Sequence, residues 1–208
     1  MRPLLWGSSK TVAYVEKQLR SGRVVLAGGD TVLGLLAELS EKGYAKLDSI
    51  KNRSKKPYLI LVENQQKALN LIEKDDSKIC QIEKIMNVCW PGPVTLIFKA
   101  KATILPCIKS PEGNVAIRVP DHAGLLQLLE RFDGLFSTSA NCAGGPVPNS
   151  IEEVDESIMR SVVCVVLNDD NAESILPSTI IDCTGEKIIV VREGAFPTEK
   201  LISILSSE

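Results

Sequence analysis

The sequence predicts a single α/β domain around a twisted mixed β-sheet. Apolar runs of strand length recur along all 208 residues, and segments with helical spacing of apolar positions lie between them. Residues 162–167 form a continuous run rich in β-branched side chains, which is typical of a strand buried on both faces. Glycine and proline are scattered along the chain instead of being gathered into a linker. We therefore expect one domain over residues 8–205, with helices flanking the sheet.

In the N-terminal half, helical and strand patterns alternate. Ser8 or Ser9 can cap a first helix whose apolar positions keep helical spacing up to Gly22. Gly28 to Thr31 interrupt the next strand, and the pattern leaves residues 32–39 open between strand end and helix start. The remaining predictions are strands over residues 24–27 and 58–62, a short helix over 44–50, and helices over 64–72 and from Asp76 or Ser77 to Trp90.

In the C-terminal half, strands predominate. Trp90-Pro91-Gly92-Pro93 ends the preceding helix sharply, and Ser150 with Glu153 has the spacing of a capping box for a short helix. The patterns predict strands over residues 94–98, 115–119, 135–136, 162–167, 177–182 and 188–191, and a helix over 123–131.

Composition excludes several classes of protein. The net charge is −2 and the sequence pI is about 5.6, so a broad basic surface for nucleic acid is not indicated. The six cysteines form no CxxC pair and there is one histidine, so no zinc ligand set is grouped. Residues 1–7 are too short for a signal-peptide core, and no apolar run has the length of a membrane span. We expect a reduced, cytoplasmic protein with free thiols and no membrane association.

Two residues that often carry catalysis are assigned no catalytic role. His122 follows Pro120-Asp121 and is expected to open a helix as a structural or surface residue. Cys142 lies in a glycine-containing loop, but the chain has no second histidine that could activate it as a nucleophile. Neither GxxxxGK[ST] nor GxGxxG occurs, so any bound nucleotide phosphates are not held in a standard glycine-rich loop.

A basic stretch marks the first candidate site. In Lys51-Asn52-Arg53-Ser54-Lys55-Lys56-Pro57, four cations lie within six residues, and an apolar run of strand length follows. Proline pushes the residue before it towards extended backbone, so we expect a loop fixed at the edge of a buried sheet, with its cations facing solvent or a ligand. That arrangement suits an anion site, and a solvated charged turn is the alternative.

Hydroxyl and arginine side chains stand at the ends of several predicted strands. Because ligands in open α/β sheets bind where strand ends converge, these residues would together suit a phosphate-rich ligand. Arg118 is the strongest of them, since a guanidinium inside an apolar strand needs a partner. The segments concerned are Ser137-Thr138-Ser139-Ala140-Asn141, Ser178-Thr179, Arg192, Arg118 and the Lys51–Arg53 loop.

Seven segments, taken in order, resemble the YrdC-like family of threonylcarbamoyl-adenylate synthases in its short single-domain form. The match runs over about residues 20 to 195. The segments are Asp30-Thr31-Val32-Leu33-Gly34-Leu35, Lys51-Asn52-Arg53, Trp90-Pro91-Gly92-Pro93-Val94-Thr95, Val115-Ala116-Ile117-Arg118-Val119-Pro120, Ser137-Thr138-Ser139-Ala140-Asn141, Pro177-Ser178-Thr179 and Val191-Arg192-Glu193-Gly194.

The resemblance implies an open α/β fold with a basic concave face. It implies an enzyme that uses ATP, L-threonine and bicarbonate, with Mg²⁺ carried by the nucleotide and no metal site made of protein alone. Its product would serve a separate transferase complex that makes threonylcarbamoyladenosine in tRNA. By resemblance, Lys51 and Arg53 are catalytic. The same two residues would bind ATP together with Ser139, Asn141 and Arg192, and L-threonine would be held by Thr31, Arg118, Ser137 and Ser178.

The sequence departs from the family pattern at four places. Gly28-Gly29 stands where the family has Pro-Thr, and Leu33, Ser54 and Ala143 replace a tyrosine, a proline and a serine. The glycines add freedom to the first loop. The rival interpretation is a non-catalytic module that binds double-stranded RNA or tRNA on the same basic concavity. The acidic overall charge argues against it, and a possible direct RNA contact stays open.

Overall fold

The computed structural model describes residues 2–52, 57–73, 79–168 and 176–199. Within these segments the chain forms one mixed β-sheet with α-helices on its faces. The strands are β1 Leu4–Leu5, β2 Val25–Ala27, β3 Gly34–Glu38, β4 Leu59–Leu61, β5 Val94–Lys99, β6 Asn114–Arg118, β7 Leu135–Ser139, β8 Val165–Leu167, β9 Thr179–Asp182 and β10 Ile189–Arg192. The helices are α1 Ser9–Arg20, α2 Glu41–Lys51, α3 Gln65–Leu69, α4 Ile79–Cys89, α5 Ala123–Leu129 and α6 Glu156–Ser161.

The strand order mixes parallel and antiparallel neighbours. Across the sheet it is β1-β8-β2-β3-β7-β4-β6-β5-β9-β10. The pairs β1–β8, β8–β2, β4–β6 and β5–β9 are parallel, and the other pairs are antiparallel. The predicted α/β class with a mixed sheet is therefore confirmed.

Each face of the sheet has its own apolar core, because side chains alternate between faces along a strand. One core joins strand residues such as Leu36 and Leu61 to side chains of α1 and α5, among them Val15 and Leu128. The core on the opposite face joins strand residues such as Leu35, Ile60 and Phe136 to side chains of α2, α4 and α6, among them Leu47, Met86 and Ile158.

A cross-strand row on the face shared with α1 and α5 positions the site. Leu36 pairs with Ser137, Ser137 with Leu59, Leu59 with Ala116, and Ala116 with Ile97. The row crosses five strands and alternates large side chains with small or hydroxyl-bearing ones. All five residues line one cavity. The candidate site thus extends across a face of the sheet as well as along its strand ends, where the sequence placed it.

Helix and strand bounds differ from the sequence predictions at several places. Residues 32–39, left open, contain strand β3. Helix α2 begins at Glu41 rather than at 44, because the Ser40 side chain caps it by accepting from Gly43 N–H. Helix α3 ends at Leu69 rather than at 72, since Ile72 forms an isolated bridge with Ala100. Strand β8 is shorter than the predicted run over residues 162–167.

Two further predictions concern helix caps. The predicted Ser150–Glu153 capping box is wrong: Ser150 makes no side-chain cap bond, and Glu153 accepts from the main chain of Asn149. Helix α6 begins at Glu156 instead and is capped by Asp155. The predicted caps Asp76 and Ser77 lie outside the described residues. Each helix in the described segments is too short or too polar to cross a lipid bilayer.

Candidate functional site

A cavity of about 330 Å³ opens on the sheet face next to α5. It brings together residues from both ends of the chain. Those that the sequence had marked as site residues are Thr31, Arg118, Ser137, Ser139, Ser178 and Arg192. Lys51 and Asn141 do not line it, but each is hydrogen-bonded to Ser139. Arg53 lies outside the described residues, although Pro57 at the end of the basic stretch lines the cavity.

Arg118, at the end of β6, is held by the first loop. Its Nη1 donates to both carboxylate oxygens of Asp30 at 2.8 and 2.9 Å, and its Nη2 donates to Thr31 Oγ1 at 3.1 Å. Asp30 Oδ2 also accepts from the main-chain N–H of Asp121 at 2.9 Å. The Arg118 and Asp30 side chains are 4% and 9% exposed. The inference that this guanidinium needs a partner is confirmed, and its anionic partner within the described residues is Asp30.

Lys51 is buried rather than facing solvent or a ligand. It is the last residue of α2 and is 3% exposed. Its Nζ donates to Ser139 O at 2.8 Å, to Asn141 Oδ1 at 3.1 Å and to Asn141 O. The expectation that its cation projects from a loop is therefore wrong, because α2 continues through Lys51 and ends at Asn52 in a left-handed conformation.

The loop from Ser139 to Gly145, at the end of β7, is held by hydrogen bonds among its own residues. Ser139 Oγ donates to Asn141 Oδ1 at 2.5 Å, and Asn141 Nδ2 donates to Gly145 O at 2.6 Å. Lys51 adds a positive charge to the same Oδ1. Ser139 and Asn141 were predicted to bind ATP. In this structure Asn141 orders the loop, and Ser139 is the member that lines the cavity.

A hydroxyl pair from β5 and from the residue before β9 also lines the cavity. Thr95 Oγ1 and Ser178 Oγ are 2.8 Å apart, and both residues are buried. Arg192 donates from Nε and Nη2 to Ser178 O at 3.2 and 2.6 Å. Arg192 is exposed as a residue, yet its guanidinium is partly desolvated, and this desolvation lowers the pKa of Arg192. The guanidinium stays charged at neutral pH, so it can offer its remaining N–H groups to an anion.

The first loop is anchored through the carbonyl oxygens of its two glycines. Trp6 Nε1 donates to Gly28 O at 2.9 Å, and Asn168 Nδ2 donates to Gly29 O at 3.1 Å. Asn168 Oδ1 is in turn 2.8 Å from His122 Nε2. Two adjacent glycines give the loop extra backbone freedom. The hydrogen bonds from Trp6 and Asn168 restrain it.

His122 has the structural role that the sequence indicated. Its Nδ1 accepts from Leu125 N–H at 3.1 Å and thereby caps α5. The ring proton therefore lies on Nε2 and is donated to Asn168 Oδ1.

Thiols and metal ligands form no second centre among the described residues. All six cysteines are free, and Cys142 is exposed in its loop. Burial raises the pKa of the Cys89 and Cys183 thiols to about 12 and that of Cys164 to about 11. No three His, Cys, Asp or Glu side chains come together there as metal ligands would.

Comparison with known proteins places the chain in a family. The model of the Sua5/YciO/YrdC family, described as "Telomere recombination", matches residues 17–194. This chain belongs to the Sua5/YciO/YrdC family. The seven motif segments of this Sua5/YciO/YrdC member all fall within that match, and they supply the cavity residues named above.

Three relatives of this Sua5/YciO/YrdC member are informative. A Methanocaldococcus jannaschii protein provisionally named threonylcarbamoyl-AMP synthase is 34% identical over 194 residues, which are 92% of this chain and 89% of that protein. The Pyrococcus abyssi threonylcarbamoyl-AMP synthase is 28% identical over 191 residues, 90% of this chain but 55% of that protein. The crystal structure of P. abyssi Sua5 complexed with L-threonine has a TM-score of 0.87 at 24% identity, covering 99% of this chain and 61% of that chain.

Two functional candidates were missed from sequence. Asp30 stands in the first motif, but its pairing with Arg118 was not foreseen. Thr95 lies among the apolar residues of β5, and its hydroxyl is 2.8 Å from that of Ser178. The available signal was the same for both residues: a polar side chain in a buried segment requires a partner.

Proposed function

We propose that this chain is an L-threonylcarbamoyladenylate synthase, which makes threonylcarbamoyl-AMP and pyrophosphate from L-threonine, bicarbonate and ATP. The names of the relatives support this reaction. The observation that carries it in this structure is a single cavity that joins the Thr31–Arg118 group to the Ser178–Arg192 group. The product would be passed to a separate transferase that modifies tRNA.

The reaction needs no nucleophile from the protein. The amine of threonine and bicarbonate give a carbamate with loss of water. A carbamate oxygen then attacks the α-phosphorus of ATP, the bond from that phosphorus to the α,β-bridging oxygen breaks, and the β- and γ-phosphates leave as pyrophosphate. Positioning and charge neutralisation supply the rate, so hydroxyls and arginines are sufficient side chains.

Different side chains of the cavity lining suit the two substrates. Thr31 and Ser137 offer hydroxyls near the Arg118–Asp30 pair for the amino acid. Arg192 carries a partly desolvated charge that suits a phosphate oxygen, and Ser139 lines the same cavity. Lys51 supports the nucleotide side through the Ser139–Asn141 loop, and Arg53 would bind the phosphates.

Magnesium, if it takes part, would be carried by the triphosphate. Among the described residues, those lining the cavity include two arginines and several hydroxyls but no carboxylate. Mg²⁺ prefers carboxylate, water and phosphate oxygens, so this lining does not suit a metal site made of protein groups.

The RNA-binding alternative has no observation in its favour. Lys51 and Arg118, two of the cations on which it depended, are buried and bonded to protein groups. A phosphate-backbone binder instead needs cations spread over an exposed surface.

The test is pyrophosphate release from ATP by the purified chain, with and without L-threonine and bicarbonate. Release that requires all three substrates, with threonylcarbamoyl-AMP identified by mass spectrometry, is the expected result. L-alanine in place of threonine serves as the control amino acid. Release that ignores threonine and bicarbonate, or no release at all, would contradict the proposal.

A further inference from the structure

We infer that Asp30 and Arg118 act on the amino acid through Thr31, as a positioning pair behind its hydroxyl. This inference rests on the proposed function and deepens it. The resemblance has Arg118 hold threonine itself. The geometry points instead to a relay in which the substrate contacts Thr31, whose orientation the buried ion pair sets.

The charge of Arg118 is neutralised by Asp30. Asp30 accepts from Arg118 Nη1 with both carboxylate oxygens, and Arg118 lines the cavity whereas Asp30 does not. Both side chains are more than nine-tenths buried. The pair is therefore close to neutral, and little of the arginine's charge remains for a substrate carboxylate.

The second step is the direction of the Thr31 hydrogen bond. Arg118 has donors only, so Nη2 donates and Thr31 Oγ1 accepts. The hydroxyl proton of Thr31 is left free to be donated elsewhere. Since Thr31 lines the cavity, its hydroxyl would donate a hydrogen bond to a carboxylate or carbamate oxygen bound there. An ordinary hydroxyl is thus turned into an oriented donor, polarised by a cation behind it.

Direct contact between Arg118 and the substrate would have to use the Nε atom of Arg118. Arg118 Nε is buried and has no hydrogen-bond partner within the described structure. A substrate carboxylate could use Nε only if the surrounding side chains moved aside, because less than 1 Å² of that atom is exposed. Arg118 and Thr31 both line the cavity, but Arg118 Nη1 and Nη2 already donate to Asp30 and Thr31, whereas the Thr31 hydroxyl still has a proton to donate.

A double-mutant cycle separates the two routes. Thr31→Val removes the hydroxyl. Arg118→Lys keeps a cation for Asp30 but lacks the second nitrogen that reaches Thr31. We expect each single change to raise the KM for threonine about tenfold, with kcat and the KM for ATP little altered. If the relay operates, the KM for threonine of the double variant should also be raised about tenfold. The contact from Arg118 matters only while the Thr31 hydroxyl is present. A KM for threonine raised about a hundredfold in the double variant would overturn the relay and support direct contact between Arg118 and the substrate.

Asp30→Asn tests the rear of the pair. It should raise the KM for threonine in the wild-type background and have no further effect in Thr31→Val. An equal rise in both backgrounds would contradict the inference. Thr31→Ser restores a hydroxyl and should return most of the threonine affinity lost in Thr31→Val, whereas a purely packing role for Thr31 would not.

Two exposed substitutions serve as controls, and a binding measurement separates this inference from the proposed function. Arg160→Lys and Thr103→Val are matched exposed changes, remote from the cavity lining, and should leave all constants unaltered. Threonine affinity measured by calorimetry on the same variants reports on the relay without turnover. If the unmutated chain binds threonine but does not release pyrophosphate, only the proposed function fails; if it does not bind threonine, both fail.

Discussion

Lys51 Nζ donates to the main-chain oxygen of Ser139 at 2.8 Å, which joins the C-terminal end of α2 to the C-terminal end of β7. The same ammonium group contacts both oxygens of Asn141. A cation that the sequence places in an anion-binding stretch thus holds together the loop beside the cavity. Its influence on bound phosphate would come mainly from charge at short range and from a fixed loop.

Lys51→Met should destabilise the fold and weaken ATP binding. The change leaves partly buried oxygens of Ser139 and Asn141 without this donor, a loss of about 1–3 kcal/mol in the free energy of unfolding. Urea unfolding measures the stability, and the KM for ATP measures the second effect. Lys46→Met, on an exposed position of the same helix, is the matched control. An unfolding free energy equal to that of the control would refute the structural role.

Arg53→Ala should weaken ATP binding by about 1.5–3 kcal/mol, the range for losing a charge-assisted hydrogen bond. The expectation rests on the basic stretch in the sequence, since Arg53 lies outside the described residues. Calorimetric titration with ATP is the measurement, and Lys46→Ala serves as its charge-matched control. An unaltered ATP affinity would remove Arg53 from the phosphate site.

Thr95→Val should raise the KM for threonine by a factor of about 3 to 10 at nearly constant volume. Valine cannot hydrogen-bond to Ser178, so the serine hydroxyl loses its 2.8 Å partner and keeps only the longer contact with Arg192 Nη2 at 3.4 Å, a loss of about 1 kcal/mol. Steady-state pyrophosphate release measures the effect. Thr103→Val, at an exposed position, should leave the KM for threonine as it is. A normal KM in Thr95→Val would show that the hydroxyl pair does not orient Ser178 for the substrate.

The six thiols should all be free and should react at different rates. Cys80 and Cys142 are exposed, whereas Cys89, Cys164 and Cys183 are buried. A thiol reagent near pH 8 should therefore label the first two quickly and the buried three only after unfolding. Mass spectrometry of fresh, non-reduced protein should find six thiols. A native disulfide, or fast labelling of Cys183, would contradict this prediction.

The buried thiols should also make stability fall above about pH 9. Burial raises the pKa of Cys89 and Cys183 to about 12 and that of Cys164 to about 11. Unfolded thiols lose their protons near pH 8.5, as ordinary cysteines do, while the folded ones keep theirs. The stabilisation is complete below that pH and is lost as the pH rises towards the folded pKa values, by at most about 1.4 kcal/mol per pH unit for each thiol.

Urea unfolding between pH 8 and pH 10.5 measures that slope. Cys183→Ala should flatten the decline, because one of the three buried protons is no longer involved. Cys80→Ala, at an exposed cysteine, should leave the slope unchanged. Equal slopes in the two variants would mean that the buried thiols do not contribute to alkaline destabilisation.

Local patterns account for most of the secondary structure that the sequence could predict. Strand β5 follows from a short apolar run, and helix α1 follows from apolar positions with a period of about 3.6, which reflect one buried face whatever the rest of the fold. The ends were less predictable. Ser40 rather than the first apolar residue sets the start of α2, and Asp155 rather than Ser150 caps α6.

The sequence by itself determined the α/β class, the family motifs and the need of Arg118 for a partner, because burying a guanidinium in an apolar strand demands a partner in any fold. Tertiary structure alone decided that the partner is Asp30, 88 residues earlier in the chain, and that Lys51 caps the Ser139–Asn141 loop, 88 and 90 residues later. Such pairings depend on strand order and register. Composition and periodicity carry no record of either, since any strand with one buried face produces the same local pattern wherever it lies in the sheet.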